Sequence, residues 1–370
     1  MTPDVIVIGG GIAGCSVAAF LAEGGARVRL YERGAVAAGA SGRNSGVLQH
    51  PMDPVLEPLY EASLRHYAAL EHGFAFPPEP SGAMVVSADP ETLAADHDAA
   101  AEHFPGLAVE WLEGAELRAA EPALADGLYA YRLATGRPIP PAAATHAWAA
   151  RARAAGAELV IGADAVVVRE GVLVAGEQHH ADAVVVAAGP WAPAALGAPP
   201  GWRPVRPVWG VVAQLRLATP PRHPIEEPGV EALTAPGGAP PSLFSIVTAD
   251  GVSAVGSTFT PDEPDAAAVA PGLLARGARY VPALEDARIE HVRACARPLS
   301  ADGRPLLGPV PGLDGVHLLT GHGAWGITLG PASARLVADV VLGRGDRIAP
   351  ELAAARYPPL ETTTRSSPLP

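Results

Sequence analysis

No lysine occurs in this 370-residue chain: all 26 basic residues are arginine. Schiff-base chemistry on a side-chain amine and a lysine general base are therefore excluded. Cysteine is nearly as scarce. Cys15 and Cys295 are the only two, too few for a disulfide framework and too far apart for a zinc-binding pattern, so a reducing compartment is expected. No charged leader precedes an apolar stretch at the start, and no apolar run approaches a membrane span. A soluble, cytoplasmic protein without membrane insertion is the expectation. Positive charge is in deficit, with 39 acidic residues giving a net charge of -13, and such a surface repels nucleic acid and anionic lipid. What the chain does have is 49% hydrophobic residues, enough for a sizeable core in one large domain or two interlocked ones. A small-molecule ligand is the expected partner.

The first apolar run, "DVIVIG" at 4–9, is followed by a glycine turn, by the helix-like "CSVAAFLAEGG", and by a second strand, "RVRLYE" at 27–32. This order is a βαβ unit. "THAWAARARAAG" at 145–156 has the spacing of a helix, and "ADAVVVAAG" at 181–189 is apolar enough for a strand buried on both faces. From about 205 to 290 the texture changes to short alternating strands, including "GVVAQLRL" at 210–217 and a hairpin that turns at Asp250 and Gly251. Near the end, "GVHLLTGHGAWGITLGP" runs from a strand into a glycine loop, with a helix expected over 332–343. Parallel-sheet pieces interleaved with antiparallel ones imply an α/β protein of two domains interleaved in sequence.

Gly9, Gly11 and Gly14 form G-x-G-x-x-G directly after a strand and at the start of a helix. The first glycine allows the tight turn, the second lets backbone approach a pyrophosphate, and the third lets helix and strand pack closely. Glu32 ends the second strand, where its carboxylate can accept hydrogen bonds from ribose hydroxyls. This pattern suits NAD and FAD alike, and three further stretches favour FAD. "GASGRNSG" at 39–46 offers backbone amides, the hydroxyls of Ser41 and Ser45, and the charge of Arg43. "VVVAAGPWA" ends a buried strand at Ala188 and Gly189, with Trp191 available to cover a flat ligand. "TGHGAWGITLGP" brings a glycine loop to a helix N-terminus, whose partial positive charge suits the anionic N1 and C2 oxygen of a reduced flavin.

Together with "ARPLSADGRPLLGPV" and "GHGAWG", these stretches resemble the FAD-dependent oxidoreductases of the D-amino-acid oxidase superfamily, with glycine oxidase and monomeric sarcosine oxidase nearest in pattern. The resemblance implies a glutathione-reductase-type FAD-binding domain beside a substrate domain with a large antiparallel sheet. It implies oxidation of an amine or amino acid to an imine, with oxygen or another electron acceptor taking the electrons. Residues 1–75, 140–205 and 290–348 would then form the FAD-binding domain, 76–139 and 206–289 the substrate domain, and 349–370 a poorly ordered tail. By the same resemblance, Ile12, Ala13, Glu32 and Arg33 contact the ADP half, and Val166 touches the adenine. Ser41, Arg43, Asn44, Ser45, Gly46 and Val47 lie along the pyrophosphate and flavin. His322, Gly323, Ala324, Trp325, Gly326, Ile327 and Thr328 border the flavin's pyrimidine side.

Cys295 falls where monomeric sarcosine oxidase carries a thiolate bonded covalently to its flavin. Arg297 falls on the family's carboxylate-binding arginine, and its backbone is biased toward extended geometry by Pro298. Arg293 and Arg304 are its neighbours, for which a surface or loop-bracing role is expected. The chain also departs from the family. Ser245 stands at the position of a substrate-binding tyrosine, Ala324 at that of a second arginine, and Ala254 near that of an oxygen-activating lysine. Oxidation of a 2-hydroxy acid or polyol on the same scaffold, and a flavin-binding subunit of a heteromeric dehydrogenase, are the alternatives.

Overall fold

Four consecutive apolar residues, Val5–Ile8, have no polar face to offer water, and the chain buries all four as strand β1 inside a six-stranded sheet. The structure, a computed structural model, describes residues 4–71, 73–169, 171–199, 201–229, 242–345 and 348–359. A glycine turn leads to α1 (Ile12–Glu23), a helix apolar all round and correspondingly buried along most of its length. There follow β2 (Val28–Glu32), α2 (Glu57–Ala68), β3 (Ala83–Ser87), β4 (Val109–Glu113), β5 (Tyr129–Leu133), α3 (Pro141–Ala154), β6 (Glu158–Ile161) and β7 (Ala183–Val186). The second half contains the long β8 (Val205–Leu215), the short β9 (Ile225–Glu226), the hairpin β10 (Ser242–Ala249) and β11 (Val252–Thr258), α4 (Ala266–Gly277), β12 (His291–Ser300), β13 (Leu306–Pro309), β14 (Val316–Thr320) and α5 (Gly326–Val341).

The first sheet has the order β13-β14-β7-β1-β2-β6, parallel throughout except for the β13 edge. Alternate residues of its strands point to opposite faces. Val5, Val7 and Leu30 pack with the helices around fully buried Trp148 and Tyr67, while Ile6, Ile8 and Val186 pack beneath a three-stranded sheet containing Ala165 and Val172. The second sheet has the order β12-β8-β11-β10-β9-β3-β5-β4 and is antiparallel except where β9 meets β3. Phe244, Ile246 and Val255 bury one of its faces against Leu273 and Leu274 of α4. The β10–β11 hairpin turns at Asp250 and Gly251, both at positive φ as a two-residue hairpin loop of this kind requires.

Three expectations are corrected. Residues 291–300, grouped from sequence with the FAD-binding segment, pair with β8 from His291 opposite Gln214 to Ser300 opposite Val205, as the edge of the second sheet. The α5 helix begins at Gly326, not at 332, and carries Pro331 inside it. Proline has no N–H for the carbonyl of Ile327 four residues earlier. The Tyr67 hydroxyl on α2 donates to that carbonyl instead, at 2.6 Å, so the helix tolerates the break. The tail is ordered as far as residue 359: Leu352 is buried, its carbonyl accepts from the Leu307 amide, and Arg356 pairs with Asp302. Residues 360–370 lie outside the described residues.

Candidate active site

The turn after β1 sets the near end of a cleft of about 320 Å³ between the two sheets. Gly9 adopts φ +115°, and a Cβ there would lie 2.5 Å from the carbonyl oxygen of Ala187. A Cβ on Gly14 would collide with the Gly9 carbonyl, so only glycine lets α1 approach β1 this closely. The Ile12 amide donates to Ser41 Oγ at 2.9 Å, and the two Glu32 carboxylate oxygens accept from the amides of Gly10 at 2.6 Å and Gly34 at 2.7 Å. Glu32 is thereby fixed on the cleft wall. Gly11, Ala13, Val166, Ala188 and Gly189 line the same cleft. Arg33 lies over the ring of Trp191 at 4.3 Å, and both side chains border it.

At the far end the cleft meets the loop of His322, Gly323 and Ala324, then Gly326 and Ile327 at the start of α5. Two helices, of 12 and 16 residues, thus open their N-termini onto one cavity, an arrangement that favours an anionic ligand at each. His322 is buried, and burial pushes its pKa down to about 4, so the ring is neutral at neutral pH. Its Nε2 has no hydrogen-bond partner, although it borders the cleft. An elongated cavity with two helix N-termini, a fixed carboxylate and an orphaned ring nitrogen fits a dinucleotide with a flat head group.

A second cavity of about 120 Å³ adjoins the first. Asn44, Ala324, Ile327 and Arg297 line both, while Ser45, Gly46, Val47, Trp325 and Thr328 line the second. Of the sequence-derived residues, Gly14 and Arg43 line neither: Arg43 donates to the Ala294 carbonyl at 3.2 Å.

Arg297 lies at the junction. Its Nη1 donates to the Thr258 carbonyl at 3.0 Å, its Nη2 to Ser257 Oγ at 2.5 Å, and its guanidinium lies 4.7 Å from the centre of the Phe259 ring. Burial pushes its pKa down from the ordinary arginine value, an effect the neighbouring Cys295 opposes, but arginine starts so high that the charge remains. The other two arginines of its segment are spent elsewhere. Arg293 donates to the carbonyls of Arg43 and Asn44, and Arg304 pairs with Asp53 at 2.9 Å. Cys295 is buried on the wall of the cleft. Burial pushes its thiol pKa up, while Arg297, Arg293 and Arg43 pull it down.

Sequence reasoning missed Gly210, which meets the side chain of this arginine from the adjacent strand β8. A Cβ there would lie 2.5 Å from the Arg297 Cζ and closer still to its terminal nitrogens. The guanidinium therefore reaches Ser257 and Thr258 only because position 210 has no side chain. A single glycine inside a strand pattern is the signal that marks such a close approach. Glu226 and Gln49, also on the second cavity, were missed as well. Their flanking residues carry no motif.

A family model described as DAO, FAD dependent oxidoreductase, matches residues 4–340. The chain is 30% identical to a glycine oxidase of Pseudomonas aeruginosa over 95% of this chain and 98% of that protein. It is also 30% identical to a glycine oxidase of Geobacillus kaustophilus, over 91% and 92% of the two chains. The crystal structure of glycine oxidase from Bacillus cereus superimposes with a TM-score of 0.80 at 25% identity, covering 93% of this chain and 96% of that one.

Proposed function

Since the chain belongs to the DAO family of FAD-dependent oxidoreductases and acts on the C–N bond of an amine or amino acid, we propose that its substrate is an amino acid held by its carboxylate on Arg297. The observation that carries this reading is a half-buried guanidinium at the junction of the two cavities with no carboxylate partner among the described residues. A planar fork that stays charged matches the two oxygens of a carboxylate. On this reading the six-stranded sheet carries FAD and the eight-stranded sheet forms the floor of the substrate pocket.

The first cleft, with Glu32, Ser41 and the N-termini of α1 and α5 on its walls, would hold FAD, whose flavin would supply the acceptor for the hydride of the substrate α-carbon. Arg297 fixes the carboxylate, Ser257, Thr258 and Phe259 fix Arg297, and Leu243, Ser245 and Val247 of β10 form the wall beside them. The neutral amine supplies its lone pair as the C–N single bond becomes C=N, and orientation supplies the rate. Oxygen is the proposed acceptor, because relatives covering more than nine-tenths of the chain are named oxidases. Peroxide formed in step with turnover checks it. Those same relatives disfavour the hydroxy-acid and subunit readings.

The test is steady-state kinetics on Arg297→Ala. FAD should stay bound while kcat/KM for a carboxylated substrate falls by about 2–5 kcal/mol, chiefly through KM, since the substrate's charge is left buried and unpaired. Arg297→Lys should not restore it, because the two-pronged geometry is lost. Unchanged turnover in the alanine variant would point instead to an uncharged amine.

A further inference from the structure

The second cavity carries one charge of each sign among the described residues: Arg297 and Glu226. The strand register separates them. Arg297 is anchored on Ser257 and Thr258 of β11. Glu226 lies on β9 opposite Ser245 of β10, which lies opposite Gly256 of β11. Two strand spacings of roughly 4.8 Å put the backbones of these two sites about 10 Å apart across the sheet. Gln49, also on the cavity wall, donates through Nε2 to Glu226 Oε2 at 3.5 Å and helps to hold that carboxylate there.

We propose that the substrate is an α-amino acid whose side chain ends in a cation, with its carboxylate on Arg297 and its side-chain cation on Glu226. The inference rests on the carboxylate-clamp reading of Arg297. The reacting amine is not the group Glu226 serves, because it stands only two bonds from the carboxylate carbon, on the Arg297 side of the cavity. A carboxylate two strands away meets the far end of the molecule. Leu243, Val247, Phe259 and Trp325 line the same cavity, an apolar surface suited to the methylene stem of a long cationic side chain. The cavity of about 120 Å³ shares Asn44, Arg297, Ala324 and Ile327 with the larger cleft, so the reacting end of the substrate is not confined to that volume. A second carboxylate in the substrate would meet Glu226 as a like charge, which selects against acidic amino acids.

The experiment compares kcat/KM of the holoenzyme for both enantiomers of ornithine, norvaline and glutamate, which share a five-carbon skeleton and differ in the charge at its far end. Dissociation constants from the anaerobic change in the flavin spectrum give a second reading where turnover is slow. The better ornithine enantiomer should exceed norvaline by about tenfold or more, with glutamate the poorest. Glu226→Gln should bring ornithine and norvaline to within about threefold of each other while norvaline turnover and FAD content persist. A parent enzyme that favours norvaline, that binds none of the three while accepting glycine, or whose ornithine preference survives Glu226→Gln overturns the proposal. Arg297→Ala distinguishes the two readings. If it costs all three substrates alike while the ratio ignores Glu226→Gln, only the Glu226 inference falls. If it costs none, the carboxylate clamp itself falls.

Discussion

Gly210→Ala adds one methyl group and tests whether the arginine works by position. The new Cβ would lie 2.5 Å from Arg297 Cζ, whereas unstrained carbon contacts need about 3.5 Å or more. The guanidinium must therefore withdraw by about 1 Å, or β8 must move away from β12 against the ladder that joins them. Gly210 does not adopt positive φ, so the backbone itself accepts alanine and the effect falls on the side chain above it. A shift of about 1 Å away from Ser257 and Thr258 breaks the 3.0 Å bond to the Thr258 carbonyl and stretches the 2.5 Å bond to Ser257 Oγ to its limit, and a misplacement of that size costs about 10²-fold in rate, or nearly 3 kcal/mol. The assay is kcat/KM for an amino acid and for the matching amine without its carboxylate, with FAD content and thermal stability as controls. The amino acid should lose about 10²-fold, the amine little, and FAD content nothing. If both substrates keep their parent values in a flavin-replete variant, Arg297 does not act through the position observed.

Other outcomes follow from the same geometry. Glu32→Ala removes the acceptor for two amides at the cleft, and FAD affinity measured by titration of the apoprotein should fall by about 1–3 kcal/mol. Tyr67→Phe leaves the Ile327 carbonyl unpaired beside Pro331, and denaturant unfolding should show a loss of about 1–3 kcal/mol. His322 titrates near 4 when folded and near 6.5 when unfolded, so below pH 6.5 the unfolded chain takes up the proton first. Its share of stability is complete above that pH and is lost as the pH falls toward 4, about 3 kcal/mol in all. His322→Asn should remove that slope from the difference between parent and variant stability curves. An identical slope in both would place the proton uptake on other groups.

The βαβ unit was legible because its signals are local: a run of β-branched residues, glycines at fixed offsets and an acid at the end of the second strand. The hairpin at Asp250 and Gly251 was legible for the same reason. The partner of β12 was not, because nothing within His291–Ser300 states that β8 lies beside it. Pro331 reads as a helix start in sequence, and only the hydroxyl of Tyr67, 264 residues earlier, shows how the helix continues through it. Arg297 stood out because Pro298 follows it and two competing arginines flank it. Gly210 and Glu226 gave no such sign, because their significance lies in what the sheet places next to them.

The most direct measurement of the central claim is anaerobic reduction of the bound flavin, followed by loss of its visible absorbance, in the parent and in Arg297→Ala. The purified parent should be yellow with FAD and should bleach with an amino acid far faster than with the corresponding amine. The variant should hold as much FAD and lose that preference. A protein that takes up no FAD, or one whose flavin is bleached as readily by the amino acid after Arg297 is removed, would contradict the account.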